Sequence, residues 1–224
     1  LSATPIPRTL NLSLSKVRDI SLITTPPVGR KSVKTIVSRY SKSLVYEAIQ
    51  REFYRDGQVF YLLNNVSALE DKRNEIYKRF PDKTIAFAHG QLKPKELAAI
   101  MQKFIEKKID LLVCTTIIES GIDIENANTL IVENSENYGL SQLHQIRGRV
   151  GRSKREAFAY FFLNKDKDLK NKALERINAL QENESLLSGF SLAMRDLEIR
   201  GAGELLGEKQ SGTCLLYTSP SPRD

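Results

Sequence analysis

Cysteine, methionine and histidine each occur only twice in this 224-residue chain, and tryptophan does not occur at all. Cys114 and Cys214 cannot build a disulfide framework, so the composition points to a reducing, cytoplasmic setting. His89 and His144 have no Cys, Asp or Glu partner at ligand spacing, and no metal site is expected from them. No apolar run approaches the ~18 residues of a membrane-spanning helix. Arg8, Lys16, Arg18 and Arg30 interrupt the short apolar patches of the opening segment, which is not the pattern of a signal peptide. These absences argue against a secreted, membrane-spanning or disulfide-stapled protein. Two motifs are missing as well. There is no Gly-x-x-x-x-Gly-Lys-Ser/Thr loop, since Gly29-Arg-Lys-Ser32 is too short, and no Asp-Glu pair.

What is present is ordinary globular composition, 41% hydrophobic and 27% charged, long enough for one domain and an appendage. The net charge of +7 is unevenly spread. Residues 1–56 hold ten basic and four acidic side chains, and residues 141–164 hold five and one. The second block is compact: Arg147, Arg149, Arg152, Lys154 and Arg155. A dense arginine block favours a phosphate-bearing partner over a merely solvated surface.

The chain opens on Leu1 rather than Met and reads as a piece of something longer. From residue 33 onward, short β-branched runs alternate with helical periods. Strands are predicted at 33–40, 58–63, 84–88, 110–114, 129–133 and 158–163, with helices at 43–54, 68–80 and 95–108. Ser67 and Glu70 read as a capping box for the second helix, and Pro94 suits the first turn of the third. This alternation predicts a three-layer α/β domain with a mainly parallel sheet. Beyond residue 164 the strands stop, and 166–181 and 184–197 read as two helices followed by a glycine-punctuated segment. Residues 213–224 are rich in Ser, Pro and Thr without periodicity and are expected to be a disordered or non-native tail.

Two segments carry chemistry. In Gln142-Leu-His-Gln-Ile-Arg-Gly-Arg-Val-Gly-Arg152, Arg149 and Arg152 are expected on one helical face, with Gly148 and Gly151 permitting close approach to a polyphosphate. In Cys114-Thr-Thr-Ile-Ile-Glu-Ser-Gly-Ile-Asp-Ile124, the residues follow a buried strand, where open α/β sheets place ligands. Thr115 and Thr116 offer hydroxyls to phosphate oxygens, although without the rest of the segment such a pair is only a helix N-cap. Cys114 itself is expected to be a buried core thiol.

Together these segments resemble the second motor domain of the superfamily 2 DNA helicases and translocases. Ser2-Ala3-Thr4 matches the family's motif III, His89-Gly90-Gln91 its motif IVa, Thr115 to Asp123 its motif V, and Gln145 to Arg152 its motif VI. SATPIPRTL, HGQL, CTTIIESGIDI, GLSQLHQIRGRVGRS and DLEIRGAGELLGEKQSG narrow the resemblance to the transcription-repair coupling family. The RecG-type branched-DNA helicases are the alternative, although they typically carry a proline where this chain has Ala202. A stand-alone nucleic-acid-binding module remains a third reading.

The resemblance covers residues 1–212 and carries several implications. Residues 1–25 would close the first motor domain, 26–164 would form the second, RecA-like domain, and 165–212 a helical hairpin with a translocation loop. Arg149 and Arg152 would reach ATP phosphates as arginine fingers, Gln145 would help sense nucleotide, and Gly121 and Asp123 would line the nucleotide side. Thr115, Thr116, His89 and Gly90 would contact DNA. Ser2, Thr4, Arg195, Arg200 and Gln210 would couple hydrolysis to movement. The implied cofactors are ATP and Mg²⁺, with the Mg²⁺ ligands on the first motor domain. The implied partners are double-stranded DNA and, through regions outside this chain, RNA polymerase and repair proteins. With no phosphate loop of its own, the chain alone is expected to hydrolyse nothing.

Overall fold

The computed structural model describes residues 32–115, 126–153, 155–165, 175 and 179–181. Six strands are interleaved with four helices: β1 (Val33–Arg39), α1 (Lys42–Tyr54), β2 (Gln58–Leu62), α2 (Leu69–Arg79), β3 (Ile85–Ala88), α3 (Pro94–Ile105), β4 (Leu111–Cys114), β5 (Ala127–Val132), α4 (Leu140–Arg147) and β6 (Ala157–Leu163). The sheet order is β1-β6-β5-β2-β4-β3, and every pair is parallel. The predicted α/β class and parallel sheet are therefore found.

Strands buried on both faces explain the near-continuous apolar runs of β2, β4, β5 and β6. Alternate residues of each strand feed two separate cores. Phe60, Leu62, Leu112, Leu130, Val132 and Phe161 pack with Phe104 of α3 and with Leu143 and Ile146 of α4. Val59, Tyr61, Val113, Ile131 and Phe162 pack on the opposite face with Ile49 of α1 and Ile76 of α2. Each such side chain, fully buried, contributes about 1.5–3 kcal/mol. On this second face Phe158, Tyr160 and Phe162 form a ladder of near-parallel rings 6.4 and 6.2 Å apart.

Several local expectations need correction. The capping box does not form: residues Val66–Ala68 make a 3-10 turn before α2, and the capping oxygen is Asn65 Oδ1, which accepts from Ser67 N at 3.0 Å. Ala68 stands at the N-cap of α2 with no side-chain cap. α3 stops at Ile105, because the chain turns through Lys107 at φ 59°. β5 begins at Ala127, earlier than predicted, since Ala127 pairs with Gln58 and buried Asn128, at the register shift that follows, accepts from Ser153 Oγ at 2.8 Å.

The expected hairpin and loop over 165–212 and the tail over 213–224 fall almost wholly outside the described residues. Residues 175 and 179–181 are helical, and Ala179 and Leu180 are buried in the first core. Among the described residues no helix is long and apolar enough to cross a membrane.

Candidate functional site

The arginine segment is built from the end of α4. Leu140, Leu143 and Ile146 bury one face of this helix, leaving Gln142, His144 and Gln145 half-buried on the other. The helix ends at Arg147, with Gly148 as its C-cap. Arg149 and Arg152 therefore do not share a helical face, contrary to the sequence expectation. Arg149 lies in the closing turn, its N–H donating to Ile146 O at 3.0 Å, and Arg152 lies beyond it, outside any helix or strand. The glycines end the helix rather than weaken it.

Between the two arginines, Val150 is fully buried and Gly151 has φ +72°. A Cβ on Gly151 would stand 2.8 Å from Ala157 Cβ and 3.0 Å from Val33 Cγ2. Its N–H donates to Ala127 O at 3.3 Å. Gly151 is thus pinned against the first residues of β1, β5 and β6, and only a glycine fits there. Val150 and Gly151 anchor the turn, and Arg149 and Arg152 leave it on either side, each half-buried.

Arg147 and Arg155 of the block have different work. Arg147 is only 4% exposed. It donates to Leu180 O at 2.8 Å, His144 Nδ1 at 3.1 Å and Thr35 Oγ1 at 3.4 Å. Arg155 donates to Arg55 O, and Arg55 in turn donates to Glu156 O at 2.9 Å. The sequence grouped Arg147 and Arg155 with a phosphate-facing patch; the structure ties both to the protein's own backbone.

His89, Gly90 and Thr115 come together at the opposite, carboxyl end of the sheet. Ala88 and Cys114 are register partners in β3 and β4, and Thr115 N donates to Ala88 O at 3.3 Å. His89 stacks on Phe87 at 6.4 Å, and its Nδ1 is buried without a hydrogen-bond partner among the described residues. Gly90 is exposed, with nothing within 4 Å of an added Cβ, so packing does not demand a glycine there. Cys114 is 1% exposed, and burial pushes its thiol well above the ordinary range, consistent with a core residue. Ser2, Thr4, Thr116, Gly121, Asp123, Arg195, Arg200 and Gln210 lie outside the described residues.

The sequence missed a polar cluster behind this carboxyl end. Tyr61 OH donates to Glu133 Oε1, and Lys72 Nζ lies 2.9 Å from the same carboxylate. Lys72 also pairs with Glu75 at 3.0 Å and reaches Tyr40 OH at 3.2 Å. Burial alone would lower the Lys72 ammonium, but Glu133 outweighs it and holds the group above its ordinary value. Burial raises the Tyr61 hydroxyl, and the Glu133 charge raises it further. The only trace in sequence is a charged residue ending an apolar strand.

The donor set decides what these places can hold. Two guanidiniums suit phosphate oxygens, which they meet with planar forks. Mg²⁺ requires oxygen ligands, and neither arginine supplies one. Among the described residues no group of three or more His, Cys, Asp or Glu could hold a metal ion.

The parallel sheet, with an arginine turn in its last crossover, is the arrangement that the sequence resemblance implies for a helicase motor domain. Residues 41–154 match the helicase conserved C-terminal domain, and the chain belongs to that family. The resemblance narrows further. The chain is 52% identical over 212 residues to the transcription-repair-coupling factor of Buchnera aphidicola and equally to that of Staphylococcus aureus strain USA300. These matches cover 95% of this chain but 30% and 18% of the two relatives, so the chain spans less than a third of either. Among solved structures, RecG bound to a three-way DNA junction is 37% identical with a TM-score of 0.74, over 91% of this chain and 27% of that one. The RecA-like helicase fold and the family resemblance read from the sequence are both borne out.

Proposed function

We propose that this chain is the second motor domain of a longer ATP-dependent double-stranded DNA translocase, one that couples transcription to repair by displacing stalled RNA polymerase. The observation that carries the reading is the turn Gly148 to Arg152: two half-buried arginines flank a backbone locked by Val150 and Gly151. A preorganised cationic pair stabilises charge that redistributes on a transferring phosphoryl group. ATP supplies that group, and its Mg²⁺ would be held by carboxylates of the first motor domain. Arg149 and Arg152 bind and orient the phosphates, Gln145 on α4 senses them, and Gly121 and Asp123 extend the nucleotide side. His89, Gly90, Thr115 and Thr116 meet the DNA backbone at the carboxyl end of the sheet. Ser2, Thr4, Arg195, Arg200 and Gln210 transmit closure of the two domains to the DNA.

The same reading divides the chain into the end of a first motor domain with its linker (1–25), this domain (26–164), a hairpin and translocation loop (165–212) and a tail (213–224). It also places the protein in the cytoplasm, with polymerase and repair proteins bound by other regions. The link between Arg147 and Leu180 supports contact between the arginine helix and the segment after β6.

In the full-length protein, Arg149→Ala and Arg152→Ala should leave ATP binding in place and lower hydrolysis by ~10³–10⁵. Lysine at either position should not restore it, because the planar fork is lost. Hydrolysis within tenfold of wild type would reject the assignment. The chain by itself should not turn over ATP. The likeness to RecG favours a second reading, a branched-DNA helicase. Removal of a stalled polymerase by the full-length protein, compared with unwinding of a three-way junction, separates the two.

A further inference from the structure

The segment that delivers α4 to its position is held with unusual care. Asn134, directly after Glu133, adopts φ 49° and ψ 46°, a left-handed conformation that asparagine tolerates better than other non-glycine residues. There the chain leaves the end of β5 and crosses toward the face covered by α4. Side chains fix it at three points. Glu133 is bound by Tyr61 and Lys72, Ser135 Oγ donates to Phe162 O at 3.1 Å, and Glu136 Oε2 accepts from Asn164 N at 3.3 Å. The Lys72 and Glu133 side chains are only 14% and 13% exposed. A mostly buried ion pair is a poor source of stability, because the desolvation of two charges offsets their attraction. Its carboxylate and ammonium do, however, impose one geometry, which an apolar pair would not.

We infer that Tyr61, Lys72 and Glu133 are positioning residues for hydrolysis: they set the departure of the chain from β5 and thereby the placement of α4 and its arginine turn. The inference rests on the proposed role of Arg149 and Arg152. The clamp grips the lead-in to α4 at the carboxyl end of the sheet, and Gly151 pins the far end against Val33 and Ala157. A helix of eight residues, about 12 Å long, is stiff enough to carry a shift at one end to the other. Displacement of a catalytic group by about 1 Å can lower turnover by 10²-fold.

The test uses the full-length protein. The triple variant Tyr61→Phe, Lys72→Met, Glu133→Leu removes the polar groups of the clamp together at similar volume, and Glu75, which loses Lys72, keeps its ion pair with Lys42 at 2.7 Å. Its melting temperature should stay near wild type, its KM for ATP within twofold, and its kcat should fall by roughly tenfold or more. A kcat that stays with the melting temperature would overturn the inference, since the cluster would then serve only the fold. If the triple variant folds poorly, single substitutions decide. Lys72→Arg should retain kcat and Lys72→Met should lose it at similar KM, and equal kcat for the two would overturn the inference. Arg149→Ala, assayed alongside, separates the two levels. If it is inactive while the clamp variants turn over normally, only the clamp fails. If it turns over normally, the arginine reading fails and the clamp falls with it.

Discussion

The guanidinium of Arg147 donates to the carbonyl oxygen of Leu180 at 2.8 Å, and the same Nη1 reaches Thr35 Oγ1 at 3.4 Å. One buried cation thereby joins the last residue of α4 to an edge strand and to a helical segment beyond β6. It also explains why Ala179 and Leu180 are buried in the core that α4 covers.

Replacing Arg147 should therefore destabilise this protein rather than merely change its charge. Arg147→Ala leaves the Leu180 carbonyl without its donor and opens space beside Thr35, an expected loss of about 2–3 kcal/mol. Lysine should recover only part of it, because one ammonium cannot span the three acceptors. Denaturant titration of both variants measures the difference, and an unchanged midpoint for Arg147→Ala would contradict the link.

Two glycines should behave in opposite ways. Gly151→Ala places a methyl group against Ala157 and Val33 at a left-handed backbone position, for an expected cost of about 2–4 kcal/mol. Gly90→Ala meets nothing and should leave the melting temperature unchanged. If Gly90 lies against DNA, that variant should instead weaken binding to duplex DNA. Unaltered affinity would remove Gly90 from the interface.

Acid stability should depend on Glu75. Burial alone would raise its carboxyl, but hydrogen bonds from Lys42 and Lys72 outweigh that and hold it below its ordinary 4.5. A depressed folded value contributes stability above the unfolded value and loses it as pH falls through the folded one. Stability should thus decline as pH drops below about 4.5, and Glu75→Gln should flatten that decline. The melting temperature of both proteins between neutral and acid pH tests this.

Cys114 should be inert in the native state. Its burial and raised thiol leave almost no thiolate at neutral pH, and its Sγ donates weakly to Leu112 O at 3.9 Å. Labelling with a thiol reagent, mapped to Cys114 by mass spectrometry, should proceed only with unfolding. Labelling on the timescale of an exposed thiol would show that the end of β4 opens locally.

The class of this protein is legible in short stretches of its chain. Strand and helix alternate because their apolar periods differ, and that difference is local: β6 reads as a doubly buried strand from AFAYFFL alone, and Pro94 marks the start of α3. The spacing of Gln145, Arg149 and Arg152 identified the cationic segment for the same reason, since a motif is a property of neighbours along the chain. Which arginine is taken into the core was settled only by long-range contacts. Arg147 and Arg149 are two residues apart and chemically identical, yet one is buried. Its partners Thr35 and Leu180 are 112 and 33 residues away, and nothing local announces them. The clamp of Tyr61, Lys72 and Glu133 was hidden in the same way, because a buried charge is tolerated only where distant elements bring it a partner. The end of α4 lies between these cases. Gly148 and Gly151 were visible from the start, but only the close approach of Val33 and Ala157 shows that the chain must turn there rather than continue as helix.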